Sequence, residues 1–285
     1  MKQSKPKAFA TVEQAGPSVA VVRIDVKPRW EGWILLRSDA HHDNAKADHK
    51  LEREHLDEAI RRNALILDCG DLFCGMQGKF DPRASRCALT STQAQRNDYL
   101  NVIFEEAAEF YRPYRDNWGM LSHGNHETAL LNRAGVDLTK LLADKLDTYH
   151  LTYGGFIRLQ FNRGREQQSR IIAFHHGFGG GGAVTRGVNQ SARRAEWYPD
   201  ADVVWSGHVH ESWIMSRPSM RLNHRNQITR KNTVHVCTPG YKDEHSPQAG
   251  WAVEKGLSPK PLGAAWLRLI VKDSKIMIEA QQALG

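Results

Sequence analysis

Residues 65–71 read Leu-Ile-Leu-Asp-Cys-Gly-Asp, an apolar run that ends in a glycine and a carboxylate. An aliphatic run of this kind predicts a short strand, here residues 64–67, that is buried in the core. Gly70 allows a sharp turn after the strand, so Asp71 stands at the carboxyl end of that strand. A carboxylate held there can bridge two cations. The stretch therefore predicts a buried strand that delivers a metal-binding side chain at its tip.

Four other polar stretches each follow an apolar run. A helical pattern of apolar residues over 48–63 separates the strand that ends at Asp39 from the strand that leads to Asp71. Strand, helix and strand in this order predict an α/β fold with a parallel or mixed sheet, in which sites form beyond the carboxyl ends of the strands. The four stretches are Ser-Asp-Ala-His at 38–41, Gly-Asn-His-Glu at 124–127, His-His-Gly at 175–177 and Gly-His-Val-His at 207–210.

Two of these stretches place polar side chains in pairs. Asp39 and His41 are separated by one residue, so both side chains fall on one side of an extended strand end and can hold one cation. His208 and His210 repeat this spacing at another strand end. Carboxylate oxygen and imidazole nitrogen suit divalent transition metals. Each stretch alone is more often a turn, a helix start or polar surface, and it is the ordered set that favours a metal site.

Taken in order, the five stretches resemble the signature of the metallophosphoesterase (calcineurin-like phosphoesterase) superfamily, which runs Asp-x-His, Gly-Asp, Gly-Asn-His-Asp/Glu, His and Gly-His-x-His. The resemblance spans residues 39–210. It implies the metallophosphoesterase fold, a single α/β domain built as a two-sheet β-sandwich flanked by helices. It also implies a phosphoric ester hydrolase with a centre of two divalent metal ions.

The resemblance implies which residues hold the metals. Manganese is the expected ion, with iron, zinc and nickel as alternatives, because histidine, carboxylate and amide ligands suit all four. Of the histidine pair, His176 is the expected ligand because the ligand in this family often precedes a glycine, and His175 would then orient it or contact substrate. The first ion is assigned to Asp39, His41 and His210, the second to Asn125, His176 and His208, and the bridging position to Asp71.

Two cations account for the implied reaction. In-line attack on a phosphate ester builds negative charge on the attacking, leaving and non-bridging oxygens. Two divalent ions about 3.5–4 Å apart can stabilise that charge and hold a bridging hydroxide as the nucleophile. In the resembled family the histidine at the position of His126 contacts the phosphoryl oxygens or protonates the leaving group. His126 and Asp71 are therefore the expected catalytic residues.

The charge of the chain favours an acidic substrate. The formal net charge is +7, and a basic stretch over residues 217–231 follows the last metal motif. Arg217, Arg221 and Arg225 are candidate contacts to a phosphodiester backbone, although a solvated hairpin explains this stretch equally well. A phosphodiester, either nucleic acid (DNA or RNA) or a nucleotide, is favoured over a monoester. Three aromatic residues could stack bases or lie in the core, namely Trp197, Tyr198 and Trp213.

Other functions stay open at this point. One is a phosphomonoesterase or protein phosphatase, although protein phosphatases of this superfamily carry an arginine after Gly-Asn-His-Glu, where this chain has Thr128. The others are a hydrolase of C–N bonds and a non-catalytic, metal-stabilised module that binds nucleic acid. Residues 177–182 match the pattern Gly-x-Gly-x-x-Gly but do not open directly into a helix pattern, which favours a loop beside the substrate cleft over a dinucleotide site.

The rest of the chain suggests its organisation. Residues 1–29 are predicted to be an N-terminal extension with an edge strand over 19–26, and residues 30–285 the metallophosphoesterase domain, with an inserted loop over 75–97. The four cysteines show no paired spacing, which favours reduced thiols and a cytoplasmic location. No apolar run approaches the roughly 18–20 residues that cross a membrane.

Overall fold

The computed structural model describes residues 4–77, 84, 88–246, 248 and 251–285. Strands dominate this part of the chain. In chain order they are β1 (Lys5–Lys7), β2 (Ala10–Gly16), β3 (Val19–Asp25), β4 (Glu31–Arg37), β5 (Leu65–Asp68), β6 (Trp118–Ser122), β7 (Tyr149–Leu151), β8 (Gly154–Arg163), β9 (Glu166–His175), β10 (Val203–Ser206), β11 (Trp213–Leu222), β12 (Ile228–Cys237), β13 (Gly263–Lys272) and β14 (Lys275–Leu284).

Helices fill most of the connections between the parallel strands. The predicted helix over 48–63 is confirmed, since a helix runs from His49 to Arg61. Asp48 caps its start by accepting a hydrogen bond from the Leu51 N–H at 2.9 Å. The helices are α1 (His49–Arg61), α2 (Ser91–Gln95), α3 (Tyr99–Tyr111), α4 (Asn125–Ala134), α5 (Leu138–Lys145), α6 (Val188–Trp197) and α7 (Trp251–Glu254).

The strands form two sheets, which confirms the predicted two-sheet α/β fold. One sheet has eight strands in the order β1-β2-β3-β8-β9-β10-β12-β11, and the other has six in the order β14-β13-β4-β5-β6-β7. A hydrophobic core lies between the sheets, with Phe174 and Trp205 from one and Leu36 and Leu67 from the other. The outer face of the six-stranded sheet packs against α1, α3 and α5. Each aliphatic side chain buried in this way contributes roughly 1.5–3 kcal/mol.

Parallel pairing gathers several strand ends at one rim. In the six-stranded sheet β4, β5, β6 and β7 run parallel, and Arg37 lies beside Asp68. In the eight-stranded sheet β9, β10 and β12 run parallel, and Ser206 lies beside Cys237. The segments after these strands therefore emerge together, which places the sequence motifs close in space.

A strand is present over most of residues 19–26, but the prediction that it lies at a sheet edge is wrong. β3 is an interior strand, since it pairs with β2 on one side and lies parallel to β8 on the other, from Val19 beside Phe156 to Asp25 beside Asn162. Its alternating burial is that of a strand with one face in the core. The parallel partner lies far along the chain, so residues 1–29 contained no local sign of it.

The described residues cover two further predictions only in part. Of the inserted loop predicted over 75–97, residues 78–83 and 85–87 lie outside the described residues, and the short helix α2 lies within the predicted loop. Cys69, Cys74 and Cys237 are free and buried, and Cys87 falls outside the described residues. No helix among the described residues is both long and apolar enough to cross a membrane.

Candidate metal centre

The polar stretches meet at the rim formed by the carboxyl ends of the strands. Asp39 follows β4, Asp71 follows β5, and the turn that opens α4 follows β6, all in the six-stranded sheet. One histidine follows β9 and two follow β10, in the eight-stranded sheet. The side chains brought together are Asp39, His41, Asp71, Asn125, His126, His176, His208 and His210.

One group of ligand atoms comprises Asp39, His41 and His210. The Nε2 atoms of His41 and His210 are 3.3 Å apart, and His210 Nε2 is 3.4 Å from Asp39 Oδ1. Asp39 is fully buried, yet its Oδ1 has no hydrogen-bond partner among the described residues. A buried carboxylate oxygen without a partner is costly unless a positive charge satisfies it. These three side chains therefore fit a cation.

A second group comprises Asp71, Asn125, His176 and His208. His176 Nε2 is 3.1 Å from Asp71 Oδ2 and 3.2 Å from Asn125 Oδ1, and His208 Nδ1 is 2.7 Å from the same amide oxygen. His176 Nε2 is also 4.0 Å from Asp39 Oδ1, which joins the two groups. Two imidazoles, a carboxylate and an amide oxygen form a donor set that suits a divalent transition metal.

The electrostatics of the centre require positive charge. Burial lowers the pKa of His176, but the Asp71 carboxylate beside it prevails and raises that pKa to about 10. Burial likewise opposes ionisation of Asp71, yet His176 and His126 hold the pKa of Asp71 well below its usual range. A proton on His176 therefore supplies, in the metal-free protein, part of the charge that cations would supply.

Backbone carbonyls orient two of the imidazoles. His176 Nδ1 is 2.8 Å from the Cys69 carbonyl oxygen, and His126 Nδ1 is 2.7 Å from the Cys74 carbonyl oxygen. Because a carbonyl oxygen only accepts, each Nδ1 carries the proton. The Nε2 of each ring is left to face the centre, which is how buried partners set the tautomer of a metal-binding or proton-transferring histidine.

The backbone at the centre is strained. Asp39, His41, Asp71, His208 and His210 all have positive φ, between 46° and 73°. Residues with a Cβ enter this left-handed region at a cost of roughly 1–2 kcal/mol each. Such conformations persist only where the surroundings impose them, and they cluster at functional sites.

Two glycines and a carboxylate impose this geometry. Gly70 and Gly124 face each other so closely that a Cβ on Gly70 would lie 2.3 Å from the backbone nitrogen of Gly124. A Cβ on Gly124 would lie 2.1 Å from Asp71 Oδ1. The buried Glu127 carboxylate accepts hydrogen bonds from the N–H groups of Asp71, Phe73 and Gly124 at 2.8–3.0 Å. Glu127 therefore joins the Gly-Asp turn to the start of α4. This role of Glu127 was not predicted from the sequence, although a glutamate in the first turn of a helix is a signal for it.

A buried ion network lies behind the Gly-Asp turn. Arg37 Nη2 is 2.7 Å from Glu52 Oε1, Arg37 Nε is 3.0 Å from Asp68 Oδ2, and all three side chains are fully buried. Asp68 also accepts a hydrogen bond from the Gly70 N–H at 2.9 Å. Burial, opposed by Arg37, raises the pKa of Asp68 to about 7. This network was not predicted, because a strand arginine and a helix glutamate share no motif.

The basic stretch lies on the β11–β12 hairpin, which runs away from the centre, and its role in substrate binding stays a prediction. β12 runs parallel to β10, and β11 therefore leaves the rim at Trp213 and runs away from it. Arg217 lies four residues along β11, about 13 Å from Trp213, and Arg221 about 26 Å. Arg221 Nη2 instead donates to the Pro199 carbonyl oxygen at 2.6 Å. Arg225 lies in the exposed turn at the far end of this hairpin.

His175 is not part of the ligand groups, and it packs among aromatic rings. Its ring centroid is 5.2 Å from that of Tyr153 and 6.0 Å from those of Phe178 and Trp197. Phe178 and Trp197 stack at 6.1 Å with an interplanar angle of 22°, and Trp197 is 51% exposed. Burial and the Arg194 charge lower the pKa of His175 to about 4. An open aromatic surface therefore adjoins His176 of the second group.

The glycine-rich stretch forms a loop at this surface. Turns separate it from α6, which begins only at Val188, as expected for a loop and not for a dinucleotide-binding turn. A Cβ on Gly181 would lie 3.5 Å from the Val209 side chain, which lies between the two histidines after β10. The loop therefore borders the centre.

Comparison with known proteins gives one family match and several similar structures. A family model described as calcineurin-like phosphoesterase matches residues 32–212. A conserved uncharacterised protein of Streptococcus pneumoniae, described as a predicted phosphoesterase, shares 13% identity and a TM-score of 0.32, with 89% of this chain and 90% of that chain covered. Zinc-complexed Vps29 of Entamoeba histolytica shares 11% identity and a TM-score of 0.36, over 88% and 98%. The Plasmodium protein GAP50 shares 12% identity and a TM-score of 0.39, over 89% of each chain. No curated protein sequence matches the chain.

Proposed function

Because the chain belongs to the calcineurin-like phosphoesterase family and is thus a phosphoric ester hydrolase, we propose that it cleaves phosphodiesters at a centre of two divalent cations. The observation that carries the two-cation centre is the position of Asp71. Its carboxylate lies beside His176 and connects through that imidazole to Asp39 of the other ligand group. A buried carboxylate between two ligand groups can bind both of two neighbouring cations, as in two-metal hydrolytic sites.

The residues would divide between two ions. Bound there, the cations would supply Lewis acidity, which lowers the pKa of water and neutralises charge on phosphoryl oxygens. Manganese is the proposed metal, with iron, zinc and nickel as alternatives, since this donor set does not discriminate strongly among them. We assign Asp39, His41 and His210 to one ion, Asn125, His176 and His208 to the other, and Asp71 to both.

His126 is the proposed proton donor to the leaving group. Its Nδ1–H is held by the Cys74 carbonyl, so Nε2 faces the centre, 3.9 Å from Asp71 Oδ2. The ring also lies edge-on to His41, with 4.9 Å between centroids. A histidine so fixed can donate a proton from Nε2 to the departing oxygen. Its own backbone N–H donates to Asp71 Oδ1 at 2.8 Å, which couples the two residues in position.

The aromatic surface beside His176 supports a phosphodiester with a base or other flat group. Trp197 presents half of its side chain to solvent next to the ligand-bearing end of β9. Base–aromatic stacking of this kind contributes about 1–3 kcal/mol per base. The +7 net charge supports an anionic substrate in addition.

The test compares a diester with a monoester. Metal-stripped protein with added Mn²⁺ would be assayed on bis(p-nitrophenyl) phosphate and on p-nitrophenyl phosphate, with Asp71→Asn as the matched blank. We expect faster cleavage of the diester, and about a 1,000-fold or greater loss in Asp71→Asn, because a metal clamp contributes several kcal/mol. Faster cleavage of the monoester would contradict the proposed substrate class. If neither ester is cleaved while two ions are bound, the result would favour the non-catalytic, metal-stabilised module that binds nucleic acid.

A further inference from the structure

Three side chains outside the centre converge on one point. They come from separate elements, because His123 lies in the turn after β6, Asp137 caps the start of α5, and His150 lies within β7. His123 Nε2 is 2.9 Å from Asp137 Oδ1 and 3.0 Å from His150 Nε2. One ligand atom from each of the three residues lies within 4.8 Å of the others.

Hydrogen bonding would serve both of these short contacts only if one proton on His123 Nε2 were shared between the Asp137 carboxylate and a lone pair of His150 Nε2. If His123 Nε2 carries a lone pair instead, that pair faces the Asp137 carboxylate oxygen. Asp137 Oδ1 also accepts a hydrogen bond from the Lys140 N–H at 2.9 Å. A single cation would satisfy both nitrogens and the oxygen at once.

The two short contacts of this cluster are of the size found in the candidate metal centre of the same molecule. There, contacts between neighbouring donor atoms include 2.7 Å for His208 to Asn125 and 3.4 Å for His210 to Asp39. Donors about 2.0–2.1 Å from a shared tetrahedral ion lie about 3.3–3.4 Å apart, so binding an ion would lengthen the contacts of His123 by only a few tenths of an ångström. His123 is only 8% exposed, so neighbouring residues surround its side chain. The Asp137 side chain is 24% exposed, so the cluster is open to solvent on that side.

A second histidine cluster is not suited to a metal ion, because its carboxylate is already paired with an arginine. His42 and His49 lie near Glu52, with Nδ1 atoms 3.6 and 3.7 Å from its Oε2. Glu52 is already paired with the buried guanidinium of Arg37 at 2.7 Å. A metal ion there would face a buried positive charge, which is unfavourable.

We propose that His123, Asp137 and His150 bind a third divalent transition-metal ion, with zinc as the best match. Two imidazoles and one carboxylate are a known zinc donor set that leaves a fourth position for water. The Lys140 N–H bound to Asp137 Oδ1 would orient the carboxylate. Because His123 directly precedes Gly124, this ion would join the turn that carries Asn125 and His126 to the edge strand β7.

Metal counting tests this proposal independently of activity. Protein equilibrated with Zn²⁺ and freed of excess metal would be analysed by mass spectrometry of the elements. We expect three ions per chain in the wild type and two in His150→Phe, which keeps the ring volume and removes the ligand nitrogen. Asp137→Asn keeps the helix cap and should weaken binding of the third ion by about 10–100-fold or more. Equal metal content in the wild type and both variants would overturn the proposal.

A second variant separates this site from the proposed catalytic centre. Asp71→Asn combined with His41→Ala and His208→Ala removes ligands of both ions of that centre, so we expect only the third ion to stay bound. Cobalt substitution of this triple variant should give the visible absorption of a four-coordinate site, and the absorption should vanish when His150→Phe is added. A triple variant without bound metal would overturn the third site. Circular dichroism would first establish that each variant is folded.

Discussion

The rim at the carboxyl ends of the parallel strands and the far end of the β11–β12 hairpin both carry polar side chains, but they differ in how those side chains are held. At the rim, Asp39 is fully buried, and its backbone, like that of His208, has positive φ. At the far end of the β11–β12 hairpin, Arg221 and Arg225 are exposed, and Arg221 is satisfied by a backbone carbonyl. The difference teaches that burial and backbone strain locate this site, whereas density of charge does not.

The largest effect should come from filling the space between the two facing turns. Gly124→Ala places a Cβ 2.1 Å from Asp71 Oδ1, although φ at Gly124 is −107°, which alanine accepts. Since overlap is the only obstacle, Asp71 must move, and we expect kcat/KM to fall about 1,000-fold, with a loss of roughly 1–3 kcal/mol in stability. Gly16→Ala is the control because its Cβ would have no neighbour within 4 Å and it lies at the end of β2, outside the centre. Similar losses in both variants would contradict this account.

The next prediction separates chemistry from metal binding at the rim. His126→Ala should lower kcat by about 100- to 10,000-fold while both ions of the centre stay bound, because we assign His126 the role of proton donor and not that of a ligand. The loss should be greater for diesters with poor leaving groups than for nitrophenyl esters, whose leaving oxygen needs little protonation. An equal loss across leaving groups would rule out the proton-donor role.

A smaller effect is expected at the aromatic surface. Trp197→Ala should raise KM for a nucleoside p-nitrophenyl phosphate diester by about 5- to 100-fold, through loss of base stacking. KM for methyl p-nitrophenyl phosphate, which has no base, should change much less. Trp197→Phe retains a ring and should recover most of the affinity. A change of equal size with both esters would remove the stacking role.

The smallest effect is expected at the far end of the hairpin. Arg221→Ala combined with Arg225→Ala should change kcat/KM by less than about twofold, since surface charges far from a site are screened by salt. The melting temperature should also change little, because exposed pairs such as Arg221 with Asp200 contribute about 0–1 kcal/mol. A loss of fivefold or more on a long nucleic acid, with small diesters unaffected, would show that this end takes part in binding.

Local patterns predicted much of this molecule. The α/β fold was predictable because each apolar run ends in a polar turn, as at Asp39 and Asp71, and parallel strands bring such ends together. The interior position of β3 was not, because its parallel partner begins at Gly154. Nor was the cluster of His123, Asp137 and His150, whose members lie 14 and 27 residues apart and meet only through packing.

The residues of the candidate metal centre come from both sheets, which has a consequence during synthesis of the chain. The His208 N–H donates to Asp39 Oδ2, and His41 lies beside His210, across 169 residues in each case. Contacts so distant in sequence form late, because a long loop must close before they are made. A nascent chain therefore cannot assemble the centre until His210 has left the ribosome. Every shorter translation product should be inert toward phosphate esters, whatever part of the six-stranded sheet it has already folded.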